Sequence, residues 1–166
     1  GIDTPACGPS VNDMSCAYAH AENIINPPVS GNKVEDMQYA YSNCYNMMGP
    51  PVCGPNVKDF GSTYNNCFNL SGAPVCGINV TNMNGTYNNC VNITGPAACG
   101  DKVTSMYQTY QNCNLITIAA CGPNVTNMYR AYANCIALTT ATFGPNVTNA
   151  YGAFTMSGGS SAHYNL

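Results

Sequence analysis

The sequence predicts an α/β repeat solenoid of about seven coils, each made of one short parallel strand and one short helix, and three observations carry that expectation. A pattern typified by residues 121–142, CGPNVTNMYRAYANCIALTTAT, recurs from starts at Cys7, Ser30, Cys53, Cys76, Cys99, Cys121 and Phe143, in steps of 23, 23, 23, 23, 22 and 22 residues. Apolar residues return at helical offsets inside every unit, and a short β-branched stretch closes the later ones. A fixed period of this size marks units that bury their apolar faces only against their neighbours.

The helix is read from four columns. Each unit opens on a valine (Val11, Val34, Val57, Val80, Val103, Val125, Val147), followed three residues on by Met14, Met37, Phe60, Met83, Met106, Met128 or Ala150. Four further on stands Tyr18, Tyr41, Tyr64, Tyr87, Tyr110, Tyr132 or Phe154, and three beyond that Cys44, Cys67, Cys90, Cys113 or Cys135, with Ala21 and Ser157 in the end units. Offsets of three, four and three place these side chains on one helical face of about three turns. Gly61 and Gly85, inside the expected helices, each cost about 1 kcal/mol of propensity, so packing must hold them.

The strand follows an aliphatic column (Ile24, Met47, Leu70, Ile93, Ile116, Leu138) and is clearest as ITIAAC and LTTATF. Pro27, Pro28, Pro50, Pro51, Pro74 and Pro96 fall near it in the first four units. Proline cannot donate to a ladder, so those strands should be short or broken. One strand and one helix per coil is the leucine-rich-repeat plan. The array spans residues 1–157, with 158–166 expected to be a flexible tail or a join. Neither end carries the polar cap that arrays need, so both ends are expected to continue into, or pack on, other protein.

The runs VTNMYRAYANCIALT, VTNMNGTYNNCVNIT and VTNAYGAFTMS resemble the repeat of the BspA-like leucine-rich-repeat family of bacterial surface proteins. The similarity covers nearly the whole chain. It implies an extracellular or cell-surface, non-enzymatic recognition or adhesion protein, and, since such repeats also occur in phage structural proteins, alternatively a self-assembling unit of a virion fibre, surface decoration or filament.

Composition narrows the partners. The chain has 166 residues, 45% hydrophobic and 7% charged, with four Lys plus Arg against seven Asp plus Glu. A low-charge, slightly acidic surface without a basic patch makes nucleic acid and anionic membranes poor partners, and no apolar run approaches the roughly 20 residues of a membrane span. The chain opens GIDTPACG, without an initiating methionine, and is read as a processed product or a piece of a longer one. The expected partner is a protein or glycan surface, with self-association through the uncapped ends as the other possibility.

The eleven cysteines, Cys16 apart, fill two columns, the opening slot and the slot after a repeated asparagine. Cys44, Cys53, Cys67, Cys76, Cys90, Cys99, Cys113 and Cys121 are candidates either for buried thiol ladders or for disulfides, within a coil (Cys53 with Cys67) or between coils (Cys67 with Cys76). Ala21 and Ser30, which would be partners, have both lost cysteine, whereas Cys135 faces Phe143. Sequence leaves the pairing open. Spacings of nine or fourteen residues do not resemble structural zinc sites.

Asn56, Asn79, Asn124 and Asn146 precede the valines, where turns and caps favour asparagine, and the resemblance to leucine-rich repeats implies that they bond the backbone of the adjacent coil. Six sites match the glycosylation motif, Asn69, Asn79, Asn84, Asn92, Asn124 and Asn146, most of them as by-products of the repeat, with Asn84 the most accessible. No catalytic, cofactor-binding or metal-ligating set is expected. Asp13, Asp36 and Asp59 share a column with Asn82, Ser105, Asn127 and Asn149 and are read as helix starts stabilised by the dipole. Binding is then expected on repeated surfaces. One is an outward stripe of Val29, Val52, Val75, Ala98, Ala120 and Thr142; the other is an outward row of Tyr107, Tyr129 and Tyr151 on the helical face, where aromatics can stack on sugars or partner side chains.

Overall fold

The computed structural model describes residues 7–158 and 163–165. Coil is stacked on coil at the period read from the sequence, but none of the described residues is helical. The expected leucine-rich-repeat-like α/β solenoid, with one helix and one strand per coil, is corrected accordingly: the helix is absent from every coil among the described residues, and the strand from the first three.

In place of the helix each coil makes two successive turns. In the coil that opens at Cys76, the N–H groups of Thr86, Asn88 and Cys90 donate three residues back, to Met83, Gly85 and Tyr87, at 3.2, 3.1 and 2.9 Å. The alternate N–H groups, of Met83, Gly85, Tyr87 and Asn89, leave the coil and donate to Ser105, Tyr107, Thr109 and Gln111 of the next, at 3.3, 2.8, 2.9 and 2.9 Å. An α-helix would return every one of these donors to its own coil. What prevents it is a left-handed residue at the second and sixth slots after the methionine column. These are Cys16, Tyr39, Ser62, Gly85, Gln108, Arg130 and Gly152, then His20, Asn43, Asn66, Asn89, Asn112, Asn134 and Met156, with φ between 49° and 63°. A left-handed third residue is what a type II turn requires.

Two four-residue turns in series point their first and last residues inward and their middle residues outward. The inward slots are therefore the methionine and the third, fourth and seventh residues after it, a set indistinguishable from one face of a helix. Thr63, Thr86 and Thr109, at the third slot, are buried too. The Thr86 hydroxyl lies 2.8 Å from the Phe60 carbonyl and 2.9 Å from that of Met83, so its burial leaves no bond unmade.

The column Asp13, Asp36, Asp59, Asn82, Ser105, Asn127, Asn149 forms an unbroken run of parallel bridges. Its Asp and Asn side chains hold the following turn by accepting from the N–H two residues on, as Asp36 does from Gln38 at 2.8 Å and Asn82 from Asn84 at 2.9 Å. These are Asx turns, and they replace the helix-dipole reading of this column. Hydrogen bonds from Ser15 hold the Asp13 carboxyl below its usual range.

Four short strands, β1 (Thr94–Pro96), β2 (Leu115–Ile118), β3 (Thr140–Thr142) and β4 (His163–Asn165), form one parallel sheet in that order. Earlier coils contribute only the bridge Gly72↔Ile93, and the β1–β2 register shifts between Gly95 and Pro96, where a ladder donor is missing. The flexible tail or join expected at 158–166 lies largely outside the described residues; within it, β4 pairs with β3.

The core runs the length of the stack. Val80, Met83, Tyr87, Cys90 and Ile93 are 0% exposed, as are their counterparts in the coils on either side. The tyrosine column stacks from Tyr18 through Tyr132 to Phe154 with ring centroids 5.3–5.8 Å apart. From Tyr64 to Tyr132 each hydroxyl also fastens the chain twelve residues upstream. Tyr64 donates to the Val52 carbonyl at 2.8 Å and accepts the Val52 N–H at 2.9 Å, and Tyr87, Tyr110 and Tyr132 treat Val75, Ala98 and Ala120 alike. Coil-to-coil approach is closest at the opening pair: a Cβ on Gly122 would lie 2.6 Å from the Gly100 carbonyl oxygen and 3.2 Å from the Cys99 sulfur.

Candidate functional site

The outward stripe is mostly a seam. Val29 and Thr142 are exposed, but Val52, Val75, Ala98 and Ala120 are half-buried, and the tyrosine hydroxyls hold the backbones of those four from within.

The tyrosine row lies on the outer face of the paired turns. Tyr107 and Tyr151 are exposed and Tyr129 is half-buried between them, with ring centroids 5.1 and 5.4 Å apart and interplanar angles of 9° and 17°. The rings stack along the coil axis, so their faces largely cover one another, and edges and hydroxyls are what reach solvent. This limits stacking on sugars from the side. The Arg130 guanidinium carbon sits 5.5 Å from the Tyr129 ring centroid.

All eleven cysteines are free thiols. Those of the opening column lie over the glycine of the following coil, as Cys53 does over Gly77 and Cys76 over Gly100. Those of the second column point back to a tyrosine carbonyl of the preceding coil: Cys67 to Tyr41 at 3.1 Å, Cys90 to Tyr64 and Cys113 to Tyr87 at 3.0 Å. Burial pushes Cys67 and Cys99 up to about 12, Cys53 and Cys76 up to about 11, and Cys90 and Cys113 well above the ordinary thiol value. Thiolate is the nucleophile and metal ligand, so these ladders are inert packing at neutral pH.

The asparagines are rungs. Asn56, Asn79, Asn124 and Asn146 donate to backbone carbonyls of the preceding coil at 2.7–3.0 Å, and Asn46, Asn69 and Asn92 do so at 2.8–2.9 Å. Of the six glycosylation matches, Asn84 differs. It is half-buried on a turn, not mid-helix, and its Oδ1 accepts from the Ser105 hydroxyl at 2.6 Å and the Tyr107 N–H at 3.0 Å.

Three features went unread in the sequence. One is the asparagine ladder at the left-handed slot: Asn66 donates to Asn43, Asn89 to Asn66, Asn112 to Asn89 and Asn134 to Asn112, all at 2.6–2.7 Å. Its signal was the asparagine before each cysteine, since asparagine tolerates this conformation best after glycine. The second is an uncharged flank. From the tyrosine column to the next opening slot, residues 42–52, 65–75, 88–98, 111–120 and 133–142 contain no charged residue, and Tyr45, Met48, Phe68, Leu115, Ile118 and Ile136 are exposed there. Tyr45 stacks on Phe68 at 5.5 Å. The third is a cleft beside Arg130.

Among the described residues no group of three or more His, Cys, Asp or Glu is placed to hold a metal ion, and no helix is long and apolar enough to cross a membrane. His20 is exposed, with its Nε2 3.3 Å from the Asn43 amide nitrogen. No family model, no curated protein and no solved structure matches the chain.

Proposed function

We propose that the chain is a non-enzymatic recognition protein that binds a protein or glycan surface along the uncharged flank of its coils. The supporting observation is the run of exposed Tyr45, Met48, Phe68, Leu115, Ile118 and Ile136 in segments free of charge. Large apolar side chains gathered on one face of a rigid scaffold mark an interaction surface more than scattered ones do. Each coil is tied to the next by backbone, asparagine and ring ladders, so the face is preorganised and binding costs little ordering entropy. The setting that goes with this reading is the cell surface or exterior.

The test uses residues that the array itself carries at the same slots. In the triple variant Leu115→Asn, Ile118→Thr, Ile136→Asn, each replacement matches Asn92, Thr140 or Asn114 of a neighbouring coil. Binding of the native protein and the variant to a panel of immobilised extracellular glycoproteins is measured with sedimentation of the free proteins alongside. The expected result is a monomer that binds at least one panel member, with the variant about tenfold weaker, as for losing an interface anchor. Equal binding by both proteins, or by neither, overturns the flank reading. A concentration-dependent oligomer that the variant abolishes assigns the flank instead to self-assembly, the role of a virion or filament subunit.

A further inference from the structure

The outer face of the last three described coils carries a cleft of about 460 Å³, and its origin is visible in the columns. The slot just after the tyrosine column holds Asn65, Asn88 and Gln111, then shrinks to Ala133. At the nearby left-handed slot Arg130 is followed by Gly152. These two small residues leave a notch, walled by Gln111 below, Thr155 above, and Arg130 and Tyr151 at the side.

Two kinds of unmet demand meet in it. Arg130 is the only charged residue between Val103 and Gly158, and among the described residues the sole ion pair is Lys58 with Glu35, so the guanidinium has no carboxylate. The acceptors are also open. Asn134 donates to Asn112, but the next rung, which should donate to Asn134 Oδ1, is Met156. Gln111 Oε1 is buried with no hydrogen-bond partner, a condition it shares only with Asn88 Oδ1 among the described residues. A buried acceptor without a donor is a standing cost, and an unpaired guanidinium is shaped for a carboxylate.

We propose that this cleft binds a sugar acid, a pyranose with a single carboxylate, free or as a residue of a glycan. One cation matches one negative charge, the ring hydroxyls supply the donor that Asn134 Oδ1 lacks, and the exposed Met156 and the edge of the Tyr151 ring lie against the C–H side of the sugar. A phosphate would bring more charge than one arginine balances and too few donors. The cleft adjoins the uncharged flank at Gln111, Ala133 and Asn134 but is not lined by Leu115, Ile118 or Ile136, so either test can fail without the other.

Glucuronate, glucose and a galacturonate trimer are titrated into the native protein, Arg130→Gln and Ala133→Asn, with heteronuclear NMR shifts as the readout. Both replacements are residues the array already uses at those slots, in Gln108 and Asn88, and thermal unfolding checks that each variant folds. Glucuronate is expected to shift resonances around Arg130, Asn134 and Tyr151, glucose to bind about tenfold or more weaker, and each variant to lose about tenfold or more in affinity, the scale of one charge-assisted contact. Tighter binding of the trimer identifies a glycan residue, and equal binding a free sugar acid. Equal affinity for glucose and glucuronate, an unchanged Arg130→Gln variant, or no shift at millimolar acid overturns the proposal.

Discussion

Tyr87→Ala is expected to destabilise the stack more than any other single replacement in a side-chain column. Tyr87 is fully buried between Tyr64 and Tyr110, with centroids 5.8 and 5.4 Å away. Emptying such a site costs about 3–5 kcal/mol. The loss of the hydroxyl strands the Val75 carbonyl and N–H, now bonded at 2.7 and 3.0 Å, for roughly 1–3 kcal/mol more. Tyr87→Phe separates the two contributions by keeping the ring, and Phe154 shows that the column accepts a ring without a hydroxyl. Urea denaturation should rank native above Tyr87→Phe above Tyr87→Ala; a native-like Tyr87→Phe would show that the clamp contributes nothing. Burial also pushes the Tyr87 phenol well above its ordinary value of 10.0. Above that pH the unfolded chain has released a proton that the folded chain retains, so this contribution is whole below the unfolded value and declines as pH rises towards the folded one.

Asn89→Val is expected to lose about 3–4 kcal/mol, the sum of a left-handed backbone penalty of roughly 1–2 kcal/mol for a residue that cannot adopt it locally and two amide rungs at about 1 kcal/mol each. Asn89 has φ 63°, donates to Asn66 and accepts from Asn112, both at 2.6 Å. Asn89→Gly keeps the backbone free and loses only the rungs, so it should retain more stability than valine despite its smaller side chain. Were a helix present here, the order would reverse, because glycine is the poorer helix former by about 0.5 kcal/mol. The sign of the Gly–Val difference in denaturant midpoint is therefore the informative quantity.

The repeat starts, the buried columns and the direction of Tyr107, Tyr129 and Tyr151 were legible in the sequence because side-chain periodicity survives any backbone that repeats it. The helix was misread for the same reason. Offsets of three, four and three describe which side chains point inward, and paired turns satisfy them as well as a helix does. The residues that discriminate are those the helical reading had to excuse: Gly85 at one left-handed slot, Asn43, Asn66, Asn89, Asn112 and Asn134 at the other, and the near absence of charges that a solvent-facing helix usually carries. Ring orientation in the tyrosine row was not legible, since it depends on the coil spacing. The cleft was hidden because it arises from what Ala133 and Gly152 lack, which shows only once neighbouring coils are aligned slot by slot.

Far-ultraviolet circular dichroism distinguishes stacked turns from stacked helices in these coils. Stacked turns should give a spectrum without the paired negative bands of α-helix, at all temperatures below the unfolding transition. Paired bands of the strength expected for roughly ten helical residues in every coil, about three turns each, would contradict that arrangement.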